Sequence, residues 1–217
     1  MSQPLEIVTF LCGPFATDSY LVRSGGVCWV IDPGYAPAEL VARLPRDRLT
    51  PRKIILTHGH CDHIAGIEDV RSAAGAVPLC CPAADAGMLT DPRRNLSAGF
   101  GMPLVAPPAD ELLRPGGVLE LGETRWEVLD TSGHTDGGVS LYCRQEGVIF
   151  TGDALFAEGI GRTDLPGGDA ARLIANIRRQ LLTLPPETRI YPGHGPLTTV
   201  GRERQYNPFV ADSPGNQ

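Results

Sequence analysis

The segment THGHCDHIAG at residues 57–66 brings three histidines and one aspartate into six positions. These residues are His58, His60, Asp62 and His63, and the whole chain has only five histidines. A single histidine is usually a structural residue, but three imidazoles in one short stretch favour a shared ligand. Neutral imidazole and carboxylate groups are ligands of zinc, iron and manganese. The segment therefore predicts a metal site.

The other two histidines and one more aspartate each follow a glycine at the end of an apolar segment. They are His134 in TSGHTDG, His194 in YPGHGP and Asp153 in IFTGDAL. Short apolar segments predict buried strands, and loops that leave the same edge of a sheet can converge. Seven donors are too many for one tetrahedral ion, so the pattern predicts two metals at one sheet edge.

Glycines accompany these residues along the chain. Without a Cβ, a glycine lets the backbone approach a crowded centre. We expect this role at four positions, which are Gly59, Gly133, Gly152 and Gly193.

Metal-assisted hydrolysis is the chemistry that such a site predicts. Two ions about 3.5–4 Å apart lower the pKa of a shared water and polarise a carbonyl or phosphoryl oxygen. A serine nucleophile has less support, because Ser132 lies beside His134 but the chain has no G-x-S-x-G motif. The sequence also has no G-x-x-x-x-G-K phosphate loop.

Composition favours an ordinary globular enzyme with a small-molecule substrate. The chain has 217 residues and 42% hydrophobic content, which predicts one domain over residues 1–217. The net charge of −6, without a basic stripe, disfavours a nucleic-acid partner. No export signal or membrane-spanning segment is evident, so we expect a cytoplasmic protein with six reduced cysteines and no membrane partner.

The apolar pattern predicts similar strand and helix arrangements in both halves of the chain, and hence an α+β fold with two packed sheets and outer helices. A helix from residue 170 should begin at the N-cap Asp169. Strands are expected at 5–11, 19–23, 27–32, 53–58, 77–81, 118–131 as a hairpin, 138–143, 147–153 and 189–195. Helices are expected at 36–44, 66–75, 170–181 and 198–207.

The segment 91–117 is rich in proline and glycine and is too long and irregular for a plain connector. We expect it to act as a lid or substrate loop. Asn95, Ser97 and Phe100 are candidates for pocket-lining residues, although ordinary loop packing is the stronger expectation for each one singly.

The motifs THGHCDH, SGHT, TGD and PGHG, in this order, resemble those of the metallo-β-lactamase superfamily over almost the whole chain. The resemblance implies a four-layer αββα sandwich with two divalent ions, zinc first and iron or manganese as alternatives. One ion would be held by His58, His60 and His134. The other would be held by Asp62, His63 and His194. Asp153 and a water or hydroxide would bridge the ions, so that Asp62 and Asp153 also serve catalysis.

Asp32, in the segment VIDPG, matches an acid that orients metal ligands in this superfamily. A simple turn aspartate before Pro33 is an equally reasonable interpretation of the same residue.

Within the superfamily, TGDALFAEGIGRTDLPGGD is most similar to the hydroxyacylglutathione hydrolase (glyoxalase II) group. The similarity implies attack of the bridging hydroxide on the carbonyl of a small-molecule thioester. Arg162 matches a basic glutathione-binding residue of that group, but Asp164 stands where the group has a tyrosine. We also expect this chain to lack the C-terminal helical domain that completes the thiol pocket in that group. Arg162 is therefore expected either to bind substrate or to pair with Asp164.

Persulfide dioxygenases, which use one iron, resemble the chain too and share the loop G-x-G-R-T-D at residues 159–164. Their pattern would place one Fe(II) on His58, His134 and Asp153. The following LPGGD favours the hydrolase. A β-lactam hydrolase is disfavoured because such enzymes are normally exported, and a homodimer is only the default oligomeric expectation.

Overall fold

Two six-stranded sheets form the centre of the computed structural model, which describes residues 4–211. In spatial order, the strands of the first sheet are β1 (Glu6–Cys12), β2 (Thr17–Ser24), β3 (Val27–Ile31), β4 (Pro51–Ile55), β5 (Leu79–Pro82) and β6 (Glu111–Leu113). The first three strands pair antiparallel, and β3 to β6 pair parallel. The carboxyl ends of β3 and β4 therefore meet at one edge of this sheet. The single-domain prediction over residues 1–217 stays a prediction.

The second sheet is built from the second half of the chain. The strands there are β7 (Val118–Leu121), β8 (Thr124–Asp130), β9 (Val139–Cys143), β10 (Val148–Gly152), β11 (Leu155–Phe156), β12 (Gly159–Ile160), β13 (Arg189–Pro192) and β14 (Thr198–Thr199). The sheet order is β14-β13-β10-β9-β8-β7, and β11 and β12 form a separate hairpin. Because β10 pairs parallel with β13 and antiparallel with β9, the strands β8, β10 and β13 all end at the same edge.

Within the described part of the chain, five α-helices lie beside the sheets. They are α1 (Ala38–Arg46), α2 (Cys61–Ile64), α3 (Ile67–Ala74), α4 (Ala170–Asn176), which continues as a π-helical turn to Leu181, and α5 (Val200–Tyr206). Helices α1 and α3 pack on the outer face of the first sheet, and α4 and α5 on that of the second. The four-layer αββα sandwich is thus confirmed. Within residues 4–211, no helix combines the length and the hydropathy needed to cross a bilayer.

The core between the sheets explains the apolar runs in the sequence. Successive strand residues point to opposite faces of a sheet. In β3, Trp29 and Ile31 therefore face the second sheet, whereas Val30 faces the helices. Trp29 meets Trp126 of β8 across the interface, with ring centroids 6.0 Å apart. Central strands are buried on both faces and so read as continuous hydrophobic segments.

The predicted helices and longer strands are all present, with small shifts at their ends. Four short elements were not predicted: helix α2, the edge strands β6 and β14, and the hairpin of β11 and β12. Strands of two or three residues carry too little alternation to be recognised, because their pairing partners define them. The predicted loop 91–117 accordingly contains β6 and a 3₁₀ turn at Ser97–Phe100.

Helix α4 supports the segment that carries His134. The Asp169 side chain accepts a hydrogen bond from Arg172 N at 2.9 Å, which confirms the predicted N-cap. The Asp169 backbone N–H donates to Gly133 O at 2.7 Å. Asn176, also on this helix, donates from Nδ2 to Ser132 O at 3.0 Å. The helix therefore holds the chain next to His134 from behind.

Replacing Asp169 by alanine should lower the free energy of unfolding by about 1 kcal/mol, because a backbone N–H at the helix start loses its acceptor. For a chain of this size, thermal unfolding should then fall by about 2–4 °C. The matched control is Glu187→Ala, an exposed acid that caps no helix, which should leave the unfolding temperature unchanged. Equal stability of the two variants would contradict the capping role.

Candidate metal centre

The five histidines and two aspartates of the sequence prediction lie together at one edge of the sandwich. His58 follows β4, and the short helix α2 with its N-cap carries His60, Asp62 and His63. The second sheet contributes three residues that follow β8, β10 and β13. These are His134, Asp153 and His194. The loops of both sheets are therefore needed to assemble the group.

Three histidines form the first cluster. The donor nitrogens of His58, His60 and His134 all lie within 4.8 Å of one another. His60 Nδ1 and His134 Nε2 are 2.9 Å apart, and His58 and His60 are nearly fully buried. This is the residue set predicted for one of the two ions.

The second cluster contains Asp62, His63 and His194, and its donor atoms also fall within 4.8 Å of one another. Asp62 Oδ2 lies 3.4 Å from His63 Nε2 and 3.2 Å from His194 Nε2. The two imidazole nitrogens approach to 3.3 Å. This set matches the one predicted for the other ion.

Asp153 lies between the two clusters. Its Oδ1 is 3.3 Å from His63 Nε2, and its Oδ2 is 3.5 Å from His134 Nε2 and 3.5 Å from His194 Nε2. The carboxylate thus faces donors of both clusters. The structure places it where the sequence predicts a bridging ligand, and the ligand roles of all seven residues stay a prediction.

Hydrogen bonds behind the site determine which nitrogen of each ring faces inward. His134 Nδ1 lies 2.7 Å from Arg162 O, and His194 Nδ1 lies 3.3 Å from Ala16 O. Since a carbonyl only accepts, each Nδ1 carries the proton, and each Nε2 lone pair faces the centre. A carboxylate also only accepts, so His63 likewise carries its proton on Nδ1, which lies 3.1 Å from Asp32 Oδ2.

Asp32 and Thr57 orient His58 in the same way. The Thr57 hydroxyl donates to Asp32 Oδ2 at 2.6 Å and lies 3.1 Å from His58 Nδ1. Asp32 Oδ1 also accepts from Thr57 N at 2.7 Å. Asp32 therefore contacts His63 directly and His58 through Thr57. Its function in orienting metal ligands stays a prediction of the superfamily resemblance.

The electrostatics of the two clusters differ. Burial, with help from neighbouring imidazoles, lowers the pKa of His58 well below its ordinary value and that of His60 to about 3. Burial opposes protonation of His63 too, but Asp62 and Asp153 raise its pKa well above the ordinary value. Burial therefore keeps His58 and His60 neutral near pH 7, whereas the carboxylates beside His63 favour a positive charge among the donors of the second cluster.

Divalent metal ions fit this donor set. His58 Nε2 and His60 Nε2 are buried and find no hydrogen-bond partner within residues 4–211. The other inward atoms are lone-pair nitrogens and carboxylate oxygens that face one another. Such groups are stable in a protein interior only when a proton or a cation lies among them. The arrangement suits zinc, iron or manganese and does not distinguish among them.

A pocket of about 290 Å³ opens above the two clusters and is lined by five of the seven donors, namely His60, Asp62, His134, Asp153 and His194. Apart from these donors, its lining consists of Cys61, Arg162 and six larger apolar side chains. The latter are Phe15, Leu96, Phe100, Phe156, Ile160 and Leu165. Of the three loop candidates, Phe100 lines the pocket, whereas Asn95 and Ser97 are buried inside the loop.

Arg162 has two separate contacts. Its side chain forms a bidentate pair with Asp164, with Nε at 3.0 Å from Oδ1 and Nη2 at 2.9 Å from Oδ2. Both side chains are largely exposed. Its backbone carbonyl accepts from His134, a contact that the sequence did not indicate. The structure thus shows the internal pairing, and substrate binding by Arg162 stays a prediction.

Two glycines show why side chains are excluded close to the donors. A Cβ at Gly193 would overlap Asp153 Oδ1 and His63 Cε1. A Cβ at Gly161 would overlap the Asp153 backbone oxygen and approach His134 Nδ1. The first glycine was predicted for this role, and the second was not.

Asp85 is the main site residue that the sequence analysis missed. This fully buried carboxylate accepts from Gly59 N at 3.1 Å, Thr135 Oγ1 at 2.7 Å and Gly137 N at 2.8 Å. It therefore joins the loop of His58 and His60 to the loop of His134. An acid in the segment PAADAG, within an otherwise small and apolar stretch, is the only sequence signal.

Replacing Asp85 by asparagine should weaken zinc or cobalt binding by about tenfold or more, because an amide cannot accept from all three donors that align the loops. The measurement is competition with a chromogenic chelator. Glu123→Ala, at an exposed turn, is the control and should bind metal like the parent protein. A folded Asp85→Asn protein with parental affinity would refute this role.

Comparison with known proteins identifies the family of the chain. The model of the metallo-beta-lactamase superfamily matches residues 12–194. A probable metallo-hydrolase of Bacillus subtilis is 38% identical over 199 residues, covering 91% of this chain and 94% of the relative. The hydroxyacylglutathione hydrolase GloC of Haemophilus influenzae is 35% identical over 183 residues, covering 83% and 86%.

Solved structures agree with this result. The B3 metallo-beta-lactamase BLEG-1 has a TM-score of 0.91 at 38% identity, with 95% of this chain and 100% of that chain covered. TTHA1623 in a di-iron-bound form has a TM-score of 0.82 at 37% identity, covering 94% and 100%. ETHE1 from Myxococcus xanthus has a TM-score of 0.77 at 28% identity, covering 95% and 84%. The chain is therefore a member of the metallo-β-lactamase superfamily.

Proposed function

We propose that this metal-dependent hydrolase is a thioesterase with two divalent ions, most simply zinc. The observation that carries the proposal is the convergence of seven donors into two clusters with Asp153 between them. Likeness to GloC, a hydroxyacylglutathione hydrolase, supports a thioester as the substrate. Likeness to a di-iron-bound protein supports two ions and makes iron the main alternative to zinc.

The pocket chemistry also favours a thioester. A thiol has a pKa near 8.5, so a thiolate leaves near neutral pH without a strong proton donor. Among the described residues that line the pocket, Arg162 and Cys61 are the only ionisable groups outside the seven donors. Burial raises the pKa of the Cys61 thiol, which keeps it protonated. An amine or alkoxide leaving group would need more assistance than this lining supplies.

The ions, when bound, would lower the pKa of a water molecule and polarise the substrate carbonyl. The protein's own residues provide position and environment. His58, His60 and His134 would hold one ion, and Asp62, His63 and His194 the other. Asp153 would contact both. Asp32, Thr57 and the Arg162 carbonyl keep the rings turned inward, and the apolar wall limits access of bulk water.

A mononuclear-iron persulfide dioxygenase is the alternative, and the likeness to ETHE1 gives it some weight. That enzyme would need His58, His134 and Asp153 alone as ligands. The geometry of Asp62, His63 and His194 argues for the hydrolase, because this second set of donors is equally compact and includes a carboxylate.

We further propose a cytoplasmic enzyme that acts on a small molecule, without nucleic-acid or membrane partners and with a homodimer as the default assembly. The six cysteines are free and buried, which fits a reducing compartment.

Purified, metal-reconstituted protein should contain about two ions per chain and should cleave a thioester without oxygen. Elemental analysis and an anaerobic assay of thiol release measure both properties. A chromogenic cephalosporin belongs in the same assay because of the likeness to BLEG-1. One iron per chain, with oxygen uptake on glutathione persulfide and no thioester cleavage, would overturn the proposal.

The substitutions Asp153→Ala and His194→Ala should each reduce thioester cleavage by more than about 100-fold and lower the metal content, because both residues serve the dinuclear site. Circular dichroism should show a folded protein in each case. The His194→Ala variant distinguishes the thioesterase from the persulfide dioxygenase, since the single-iron enzyme does not use His194 as a ligand. Full activity of His194→Ala would favour that alternative.

A further inference from the structure

We propose that the pocket selects thioesters with an apolar acyl group and an uncharged thiol half, rather than glutathione thioesters of small hydroxy acids. This inference rests on the proposed thioesterase function and specifies its substrate. Three features of the pocket support it: the apolar wall, the fixed loop that presents part of that wall, and the internal neutralisation of its one arginine.

The pocket wall opposite the donors is made of large apolar side chains from separate parts of the fold. Phe15 follows β1, Leu96 and Phe100 belong to the loop before β6, and Phe156 and Ile160 lie on the β11–β12 hairpin. The rings of Phe15 and Phe100 meet edge to face, with centroids 4.9 Å apart. Phe100 is nevertheless 52% exposed. An apolar acyl chain or a single ring would cover this surface and gain from its burial.

The loop that carries Leu96 and Phe100 is held in place by buried hydrogen bonds. Asn95 Nδ2 donates to Met88 O at 3.1 Å and to Leu104 O at 3.0 Å. Asn95 Oδ1 accepts from the Ser97 hydroxyl at 2.6 Å. Asn95 O accepts from Cys61 N at 2.9 Å, which ties the loop to α2.

Leu96 lies between Asn95 and Ser97 and has a φ of +71°, which a residue with a side chain rarely adopts. Such a conformation persists where the surrounding bonds over-determine it. Its side chain lines the pocket. The apolar wall is therefore built in advance of substrate binding, which favours a ligand that matches it.

The charge of the pocket disfavours glutathione. Glutathione has two carboxylates, but Arg162 is the only lysine or arginine among the described lining residues. Asp164 already occupies its guanidinium in a bidentate pair. A substrate carboxylate would have to displace Asp164 or remain next to it.

Four thioesters test the inference on metal-loaded protein: phenylacetyl and lactoyl esters, each of N-acetylcysteamine and of glutathione. On either thiol, kcat/KM should be about tenfold or more higher for phenylacetyl than for lactoyl. The N-acetylcysteamine esters should exceed their glutathione counterparts. A preference for lactoylglutathione would overturn this inference alone. Cleavage of none of the four would overturn the thioesterase function and the inference with it.

Two variants locate the effect. Phe100→Ala should reduce the ratio of phenylacetyl to lactoyl kcat/KM about tenfold, because the acyl group loses part of its apolar contact. Met102→Ala is the control, since Met102 is 41% exposed on the same loop but does not line the pocket. Its ratio should equal that of the parent protein. An unchanged ratio in Phe100→Ala would refute the assignment of the acyl group to this wall.

Asp164→Asn addresses the thiol half. Loss of the aspartate charge frees Arg162, so cleavage of the glutathione esters should improve about two- to fivefold relative to the N-acetylcysteamine esters. No change in this ratio would contradict the proposed neutralisation of Arg162.

Discussion

Seven ionisable donors packed into one buried edge impose the main constraint on this structure. Imidazole lone pairs and carboxylates lose hydration when they are buried together, and only a proton or a cation among them offsets that cost. The rings cannot escape by rotation, because acceptors behind His58, His63, His134 and His194 hold their Nδ1 atoms. Binding of divalent metal is the chemistry that satisfies such an arrangement.

The site also joins the two halves of the sandwich. Four of its donors come from loops of the first sheet and three from loops of the second, so neither sheet can form it alone. Direct contacts link the halves at this edge. Val139 N donates to Thr57 O at 2.9 Å, and Asp18 N donates to Gly193 O at 2.8 Å. The buried carboxylate of Asp85 adds a third link, to Thr135 and Gly137. Packing of the sheets and geometry of the donors are therefore coupled.

The groups that orient the candidate metal donors and the side chains that line the pocket are largely separate in this molecule. Arg162 shows the separation within one residue, because its carbonyl orients His134 while its side chain pairs with Asp164 at the pocket rim. A change of its side chain would leave the carbonyl contact in place. The apolar wall lies on loops and a short hairpin, whereas the donors follow the core strands. The side chains of the wall, and with them the preferred substrate, can therefore change while the metal donors stay the same.

Much of the fold and of the donor set was predictable because the responsible patterns are local. The spacing of His58, His60, Asp62 and His63, and the glycines before His134, Asp153 and His194, can be read along a few residues. Apolar segments likewise identified the longer strands, and Asp169 marked the start of a helix.

By itself, then, the sequence determined which histidines and aspartates are candidate metal donors and which segments form the layers. Only the tertiary structure decided the function of Asp85, the pairing of Arg162 with Asp164, the burial of Asn95 and the short strands β6 and β14. Most of these depend on partners far away along the chain; Asp85, for example, meets Thr135 across 50 positions. The Arg162–Asp164 pair spans only two positions, but the direction of a long exposed side chain depends on its surroundings. A local pattern cannot carry such information, because packing alone brings these groups together.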